Sequence, residues 1–303
     1  MSTSDLYQTV TAQIIAALEA GTAPWVCPWA HSGGSAAPAN LSTGRAYRGI
    51  NTLLLNMQAM AHGYAVNRWL TFQQARALGG HVRRGENGTH IVFFKMLDVD
   101  DARGAHHAAN DEPARKVIPL LRSFNVFNAA QVEDLPEALT AVPPPPEDWT
   151  PVSAAEELLA RSGAVIRHGG DRAFYRPSDD VIQLPAQAQF PNASHYYNVA
   201  LHELTHWTGH PDRCNRPLMG RLHLEAYAFE ELVAEMGSAF LSSHCGLPGE
   251  LHHASYIANW LEALRNDKRL VFTAASLAQK AADFLLPPQA TSPNPQAAAL
   301  AEA

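Results

Sequence analysis

The run His202-Glu203-Leu204-Thr205-His206 restricts the possible folds of this chain more than any other stretch. On a helix, residues four apart share a face. His202 and His206 can therefore aim two imidazoles at one ion, with Glu203 one step round beside it. Zinc in such a site takes three protein ligands, keeps a fourth position for water, and lowers the pKa of that water to about 7. Glu203 is placed to accept the proton and to return it to a leaving amine. The surroundings favour a helix. Ser194 is available as a cap, Tyr197, Leu201 and Leu204 form an apolar stripe, and Gly209 followed by Pro211 supplies a stop.

A second feature lies downstream. Glu231 and Glu235 sit four apart in a segment that also carries Leu224, Phe229, Leu232, Val233, Met236 and Phe240. A carboxylate pair on a mostly apolar helix needs partners, because an unpaired buried charge is costly. A metal ion and a ligating imidazole would supply both. An H-E-x-x-H pair followed by such a helix resembles the gluzincin peptidases, whose third ligand is a Glu on a following helix. The resemblance implies Glu231 as the third ligand, with Glu235 accepting a hydrogen bond from His202 or His206. Two other candidates stand beside it. His206 to Asp212 also resembles the H-x-x-G-x-x-D turn of metzincins, which would make Asp212 the ligand, and His210 is the third candidate. Glu230 reads as a solvated or ion-paired helix residue.

A chain of 303 residues has room for two domains. With 47% apolar and 17% charged residues it has the composition of a globular protein, and no apolar run reaches the length of a membrane span. The N-terminal residues lack the pattern of a signal peptide. Cys27, Cys214 and Cys245 are scattered and form no disulfide framework, as expected of a cytoplasmic protein with reduced thiols. The net charge of −7 argues against nucleic acid, but its distribution argues the other way. Residues 1–130 carry 11 Lys and Arg against 8 Asp and Glu, whereas residues 131–303 carry 11 against 21. Such asymmetry points to a basic half that meets a polyanion.

The patterning predicts an α+β protein of two domains: residues 1–135, a Pro-rich linker at 136–151 containing Pro143 to Pro146, a second domain at 152–286, and a disordered tail at 287–303. In the first domain, helices are expected from Asp5 to Ala20, from Ile50 to Ala61, and after the cap Thr71. Strands His81 to Arg84 and Thr89 to Met96 are expected as a hairpin about Gly85-Glu86-Asn87-Gly88, with Arg122 to Phe127 returning to the same sheet. In the second, a helix and short strands precede the His202 helix, and further helices follow.

Bases, aromatics and glycines interleave in the first domain. Arg and Lys neutralise phosphates and aromatic faces stack on unpaired bases, so the surface suits single-stranded DNA. The candidate contacts are Arg45, Tyr47, Arg48, Asn51, Arg68, Trp69, Arg83, Arg84 and Lys95, although Trp69, Phe72, Phe93 and Phe94 also have the character of core residues. Tyr47-Arg48-Gly49-Ile50-Asn51, Trp69-Leu70-Thr71-Phe72, Gly85-Glu86-Asn87-Gly88-Thr89 with Val92-Phe93, and Phe124-Asn125-Val126-Phe127-Asn128 follow in an order that resembles the ArdC-type antirestriction proteins of plasmids. The first domain of that family is itself similar to the N-terminal domain of TraC-type conjugative primases. In the second domain, His202 to His210, Glu230 to Glu235 and Asn266-Asp267-Lys268 look similar too.

The resemblance implies a single-stranded-DNA-binding domain joined to a zincin-like, zinc-dependent metallopeptidase domain, protecting entering plasmid DNA from host restriction. Glu203 would be the general base. Tyr256 is the chosen donor to the tetrahedral oxyanion, ahead of His252 and His253. The protein partner would be a restriction subunit or a protein bound to DNA. Two rivals share the same residues: a regulatory zinc protease that cleaves a repressor, and a DNA-shielding protein whose zinc site is not catalytic.

Overall fold

The computed structural model describes residues 3–20, 37–100, 115–136, 152–218, 224–248 and 257–286. The expected linker beyond residue 136, the tail from 287, and Tyr256, His252 and His253 lie outside them, as does Cys27.

The first half contains α1 (Thr3–Glu19), β1 (Ala39–Asn40), α2 (Ile50–His62), β2 (Arg68–Leu70), α3 (Phe72–Ala77), β3 (His81–Val82), β4 (Thr89–Asp100), β5 (Arg115–Asn128) and β6 (Val132–Glu133). α2 ends where Gly63 turns left-handed at φ 63° and returns its N–H to the last carbonyls, a conformation glycine adopts without strain. α3 is fixed by a reciprocal cap in which Thr71 accepts from the Gln74 N–H and Gln74 accepts from the Thr71 N–H. Four strands form one sheet in the order β1-β2-β5-β4, with β4 and β5 antiparallel from Thr89↔Val126 out to Asp100↔Arg115. The expected hairpin about Gly85 to Gly88 is not formed: β3 pairs with β6, through His81↔Glu133 and Val82↔Val132, and β4 pairs with β5. Gln131 explains the redirected chain. Its side-chain amide donates to Glu86 Oε2 and to the Asn87 carbonyl, tying the turn to the segment that leads into β6.

The second half contains α4 (Ser153–Ser162), β7 (Val165–His168), β8 (Phe174–Arg176), β9 (Val181–Leu184), α5 (Ala193–Trp207), α6 (Leu224–His244), α7 (Ile257–Asn266) and α8 (Leu270–Leu285). Its sheet has the order β7-β9-β8, β7 parallel and β8 antiparallel to β9. α5 and α6 pack on each other, and α8 packs on α6.

The two halves share a core. Leu6, Val10, Ile14 and Leu18, spaced as one face of α1, are buried in the same cluster as Leu232, Met236, Trp260, Leu264 and Val271. Thr11 Oγ1 donates to the Lys268 carbonyl at 2.7 Å, and Arg265 pairs with Glu19. α2 meets α8 at its N-terminus, where the Gly49 N–H donates to Gln279 Oε1 at 2.9 Å and Arg48 pairs with Asp283. A separate core of the first half contains Leu55, Ala59, Trp69, Ile91 and Val126.

Candidate metal centre

α5 starts at Asn192, whose side chain accepts from the His195 N–H; the cap is this residue, two positions ahead of the expected Ser194. Its apolar stripe lies against α6 so closely that glycine is required at the crossing. A Cβ at Gly237 would drive into the Thr205 side chain, with Thr205 Oγ1 at 2.9 Å. Hydrogen bonds from Ser238 Oγ to the Asn198 carbonyl and from Ser242 Oγ to Asn198 Oδ1 fix the register of the same pair of helices. Thr205 sits between the two histidines of α5, and Gly237 lies just beyond Glu231 and Glu235 on α6. The close approach therefore brings the carboxylates of one helix to the imidazoles of the other.

His202, His206 and Glu231 each turn a donor atom toward one point, all within 4.8 Å of one another. His202 Nε2 and His206 Nε2 are 3.1 Å apart, and Glu231 stands 3.5 Å from the first and 3.7 Å from the second. The 3.5 Å distance is to Glu231 Oε2 and the 3.7 Å distance to Oε1, so the carboxylate spans both imidazoles. Two atoms bound at about 2.0–2.1 Å to a tetrahedral ion lie about 3.3–3.4 Å apart, close to the spacing of the two nitrogens. His202 and Glu231 are both 2% exposed, so little water reaches these groups. Asp212, the alternative third ligand, has an 87% exposed side chain and faces His210 at 3.6 Å, so the structure brings neither of them to the pair. Glu203 is buried, and its charge acts on His206.

Carboxylates stand behind both imidazoles. Glu235 Oε1 is 4.0 Å from His202 Nδ1. The shorter contact is one that the sequence does not announce: His206 Nδ1 donates to Glu230 Oε1 at 3.2 Å, which leaves the Nε2 lone pair for a ligand. Glu230 is ion-paired, as expected, but it is buried and its partner is the buried Arg216. Arg216 lies in the loop after α5, outside every motif. The sequence signal that could have pointed to it is the third carboxylate on an apolar helix, which needs a cation. Among the described residues, Glu203, Glu230, Glu231 and Glu235 are buried, as is Arg216, which pairs with Glu230. Burial alone would lower the His206 pKa. The Glu230 hydrogen bond and the charges of Glu231, Glu230 and Glu203 outweigh it and hold this imidazole at about 9. A site that stabilises a proton there stabilises a metal cation for the same reason, so the residues present fit a divalent ion.

The candidate DNA contacts fare unevenly. Trp69 is fully buried and donates its indole N–H to Asn67 Oδ1, so no base can stack on it. Asn51 is buried, its amide holding both the Val92 N–H and the Val92 carbonyl. These two serve the interior, because polar groups that enter a core are used there. Arg68 is half-buried and donates to the Ala37 and Asn67 carbonyls. Tyr47 is half-buried, with Asn40 Nδ2 donating to its hydroxyl. Arg48 is exposed but engaged by Asp283. Arg83 is exposed and paired with Glu86 at 2.6 Å, Arg84 is exposed and Arg45 is half-buried. The Lys95 side chain lies outside the described residues. Among the described residues of this half, Phe72 is a large exposed aromatic, 51% exposed at the first position of α3.

Known proteins resemble both halves of the chain. Residues 4–127 match the N-terminal domain of anti-restriction factor ArdC, and residues 153–277 match a zincin-like metallopeptidase. The chain is 44% identical over 294 residues to an Escherichia coli protein called DNA primase TraC, covering 92% of this chain but 27% of that one. Protein y4eC of Sinorhizobium fredii is 45% identical over 287 residues, covering 93% of this chain and 92% of its own. Among solved structures, the metal-free antirestriction ArdC protein from the R388 plasmid superposes with a TM-score of 0.77 at 41% identity, covering 93% of this chain and 96% of that one. Its Mn(II)-bound form gives 0.72 at 39% identity, covering 92% and 96%.

Proposed function

Because this chain belongs to the ArdC antirestriction family, we propose that it protects entering plasmid DNA from restriction by holding single-stranded DNA on its first half and hydrolysing a protein at a zinc centre in its second. The reading rests most on the convergence of His202, His206 and Glu231 with Glu203 beside them. Zinc bound there supplies a Lewis acid that makes water nucleophilic near neutral pH. The chain's own residues do the rest. His202, His206 and Glu231 hold the ion, the burial of the site excludes bulk solvent, and Glu203 takes a proton from the attacking water and passes it to the leaving amine nitrogen. Tyr256 is the proposed donor to the oxyanion.

For DNA, the reading is supported by the excess of bases in residues 40–95, where Arg45, Arg48, Arg68, Arg76, Arg83, Arg84 and Lys95 face the single acid Glu86. Arg83, Arg84 and Arg45 are the contacts best placed to meet phosphates, and exposed Phe72 can offer a ring to a base. The substrate class is a protein carried on the same DNA, such as a restriction subunit, within the cytoplasm. No described helix is long and apolar enough to cross a membrane.

Glu203→Ala is expected to keep its metal and lose peptide hydrolysis, whereas His202→Ala loses both. Metal analysis and peptide cleavage on the same preparations check this. Metal loss in Glu203→Ala would instead make that residue a ligand or a structural group. If Glu203→Gln protects plasmids in cells as well as the parent does, the DNA-binding half carries antirestriction and proteolysis serves another task.

A further inference from the structure

The loop after α5 places one guanidinium where it touches both helices of the metal centre. Arg216 Nε lies 3.3 Å from Glu230 Oε1 and 3.0 Å from Oε2, and Arg216 Nη2 donates to Oε1 at 2.8 Å. The remaining donors turn to the end of α5: Nη1 to Thr208 Oγ1 at 2.8 Å, and Nη2 to the Thr205 carbonyl at 2.7 Å. Thr208 Oγ1 in turn donates to that same carbonyl at 2.6 Å. The Arg216 side chain is 1% exposed. Glu230, so held, accepts from His206 Nδ1.

We infer that Arg216 and Glu230 form a buried clamp that orients His206, making both of them positioning residues that set the metal affinity of the centre. This rests on the metal-centre reading above. Three arguments carry it. A buried ion pair gains little net stability once the desolvation of both charges is counted, so stability is a poor account of why two charges lie inside this core. Its geometry is more specific than its energy: a planar fork can bridge a carboxylate, a hydroxyl and a carbonyl at once, which a lysine ammonium on a flexible stem does not reproduce. The clamp ends on an imidazole nitrogen. A carboxylate held against Nδ1–H sets the tautomer with the lone pair on Nε2 and makes that nitrogen a better donor to a cation. His206 is gripped through Glu230 at 3.2 Å.

The experiment uses the full chain, with Zn(II) and Co(II) as probes, chelator competition for affinity, circular dichroism for folding, and the visible Co(II) spectrum for ligand geometry. Glu230→Gln preserves shape and can still accept from His206, but without the charge. It is expected to fold and to bind metal about 10–100-fold more weakly, with a shifted Co(II) band. Arg216→Lys should weaken binding in the same direction. Arg216→Ala leaves the Glu230 carboxylate buried without its guanidinium and is expected to fold poorly, so it is paired with Arg216→Ala/Glu230→Gln, which should restore folding but not affinity. Folded Glu230→Gln and Arg216→Lys proteins with parental affinity and an unchanged Co(II) spectrum would overturn the clamp and leave the metal centre standing. A parent chain that binds no Co(II), or binds it no better than His202→Ala, would remove the centre and the clamp together.

Discussion

The ionisable groups of the two halves differ in what surrounds them. Between α5 and α6 they are buried and converge: two imidazoles, four carboxylates and a guanidinium share one small volume. In the first half the described bases Arg45, Arg48, Arg68, Arg83 and Arg84 lie at or near the surface, Arg48 engaged by Asp283, Arg83 by Glu86 and Arg68 by main-chain carbonyls. Burial makes each charge dependent on a partner, so one member of the metal centre implies the others. Exposure removes that dependence, because water serves each base separately. A metal centre can thus be read as a set, whereas a DNA surface has to be established base by base.

The comparison is tested most severely by the aromatics of the first half. Trp69→Ala is expected to destabilise the protein by about 3–5 kcal/mol, the usual cost of emptying a large core site, while Phe72→Ala shifts stability by less than about 0.5 kcal/mol. Denaturant melts measure the first effect. DNA titration of the folded Phe72→Ala protein shows whether the exposed ring contributes to binding. A small loss of stability for Trp69→Ala would return that ring to the list of DNA contacts.

The next largest effect concerns the crossing of α5 and α6. Gly237→Ala should cost about 1–3 kcal/mol through overpacking against Thr205 and should weaken metal binding along with it. Adding Thr205→Ser, which removes the methyl group that a Cβ would strike, should recover part of both. Gly44→Ala tests the other side of the comparison, since a Cβ there meets nothing within 4 Å and the cost comes only from the φ of 70°. It should leave metal binding unchanged.

Smaller effects belong to the surface charges. Replacing Arg83 and Arg84 together by Ala should weaken single-stranded DNA binding and flatten its salt dependence by at most about 1.4 in logarithmic slope, the share of two phosphates. Because Arg83 is paired with Glu86, a smaller change is expected from Arg83→Ala alone. An unchanged slope in the double variant would move the DNA path elsewhere on this half.

The smallest expected effect is an acid-dependent one. Arg213, which also stacks over Trp207, donates to Asp180 and holds its carboxyl below the ordinary carboxylate range, against a burial that would raise it. A carboxyl depressed on folding stabilises the fold above its unfolded pKa of about 3.9, and that contribution is lost as pH falls through the folded value. The pair is partly exposed, so it is worth no more than about 1 kcal/mol. Asp180→Asn should therefore narrow the stability gap to the parent as melts are moved from neutral pH to below pH ~4. A gap that stays constant would show that the pair contributes nothing through its charge.

Much of this protein was legible in the order of its residues. Spacing alone placed His202, Glu203 and His206 on one helix, and the run of apolar residues around Glu231 and Glu235 marked carboxylates that would need partners inside a core. The expected Ile50 to Ala61 helix falls within a turn of α2, and the cap Thr71 starts α3, because such signals act over a few residues of chain. Local signals do not suffice where a partner is remote in sequence. The turn at Gly85 to Gly88 looked like a hairpin, yet β3 pairs with β6, because Gln131 captures the turn from the far side of β5. Trp69 and Asn51 looked like surface contacts because alternating bases and aromatics do not reveal which face is covered.

The remaining decisions belong to packing. Glu231, and neither Asp212 nor His210, joins the histidines because the Gly237–Thr205 crossing sets how closely two helices approach. Glu230 is claimed by Arg216 and His206 because a loop residue distant from both motifs folds back between the helices. α1, at the start of the chain, is buried with α6, α7 and α8, because its apolar face finds its cover in the other half. Local spacing determines which face a side chain lies on, whereas the distance between faces is set by every residue packed between them, and chemistry at a metal centre depends on that distance.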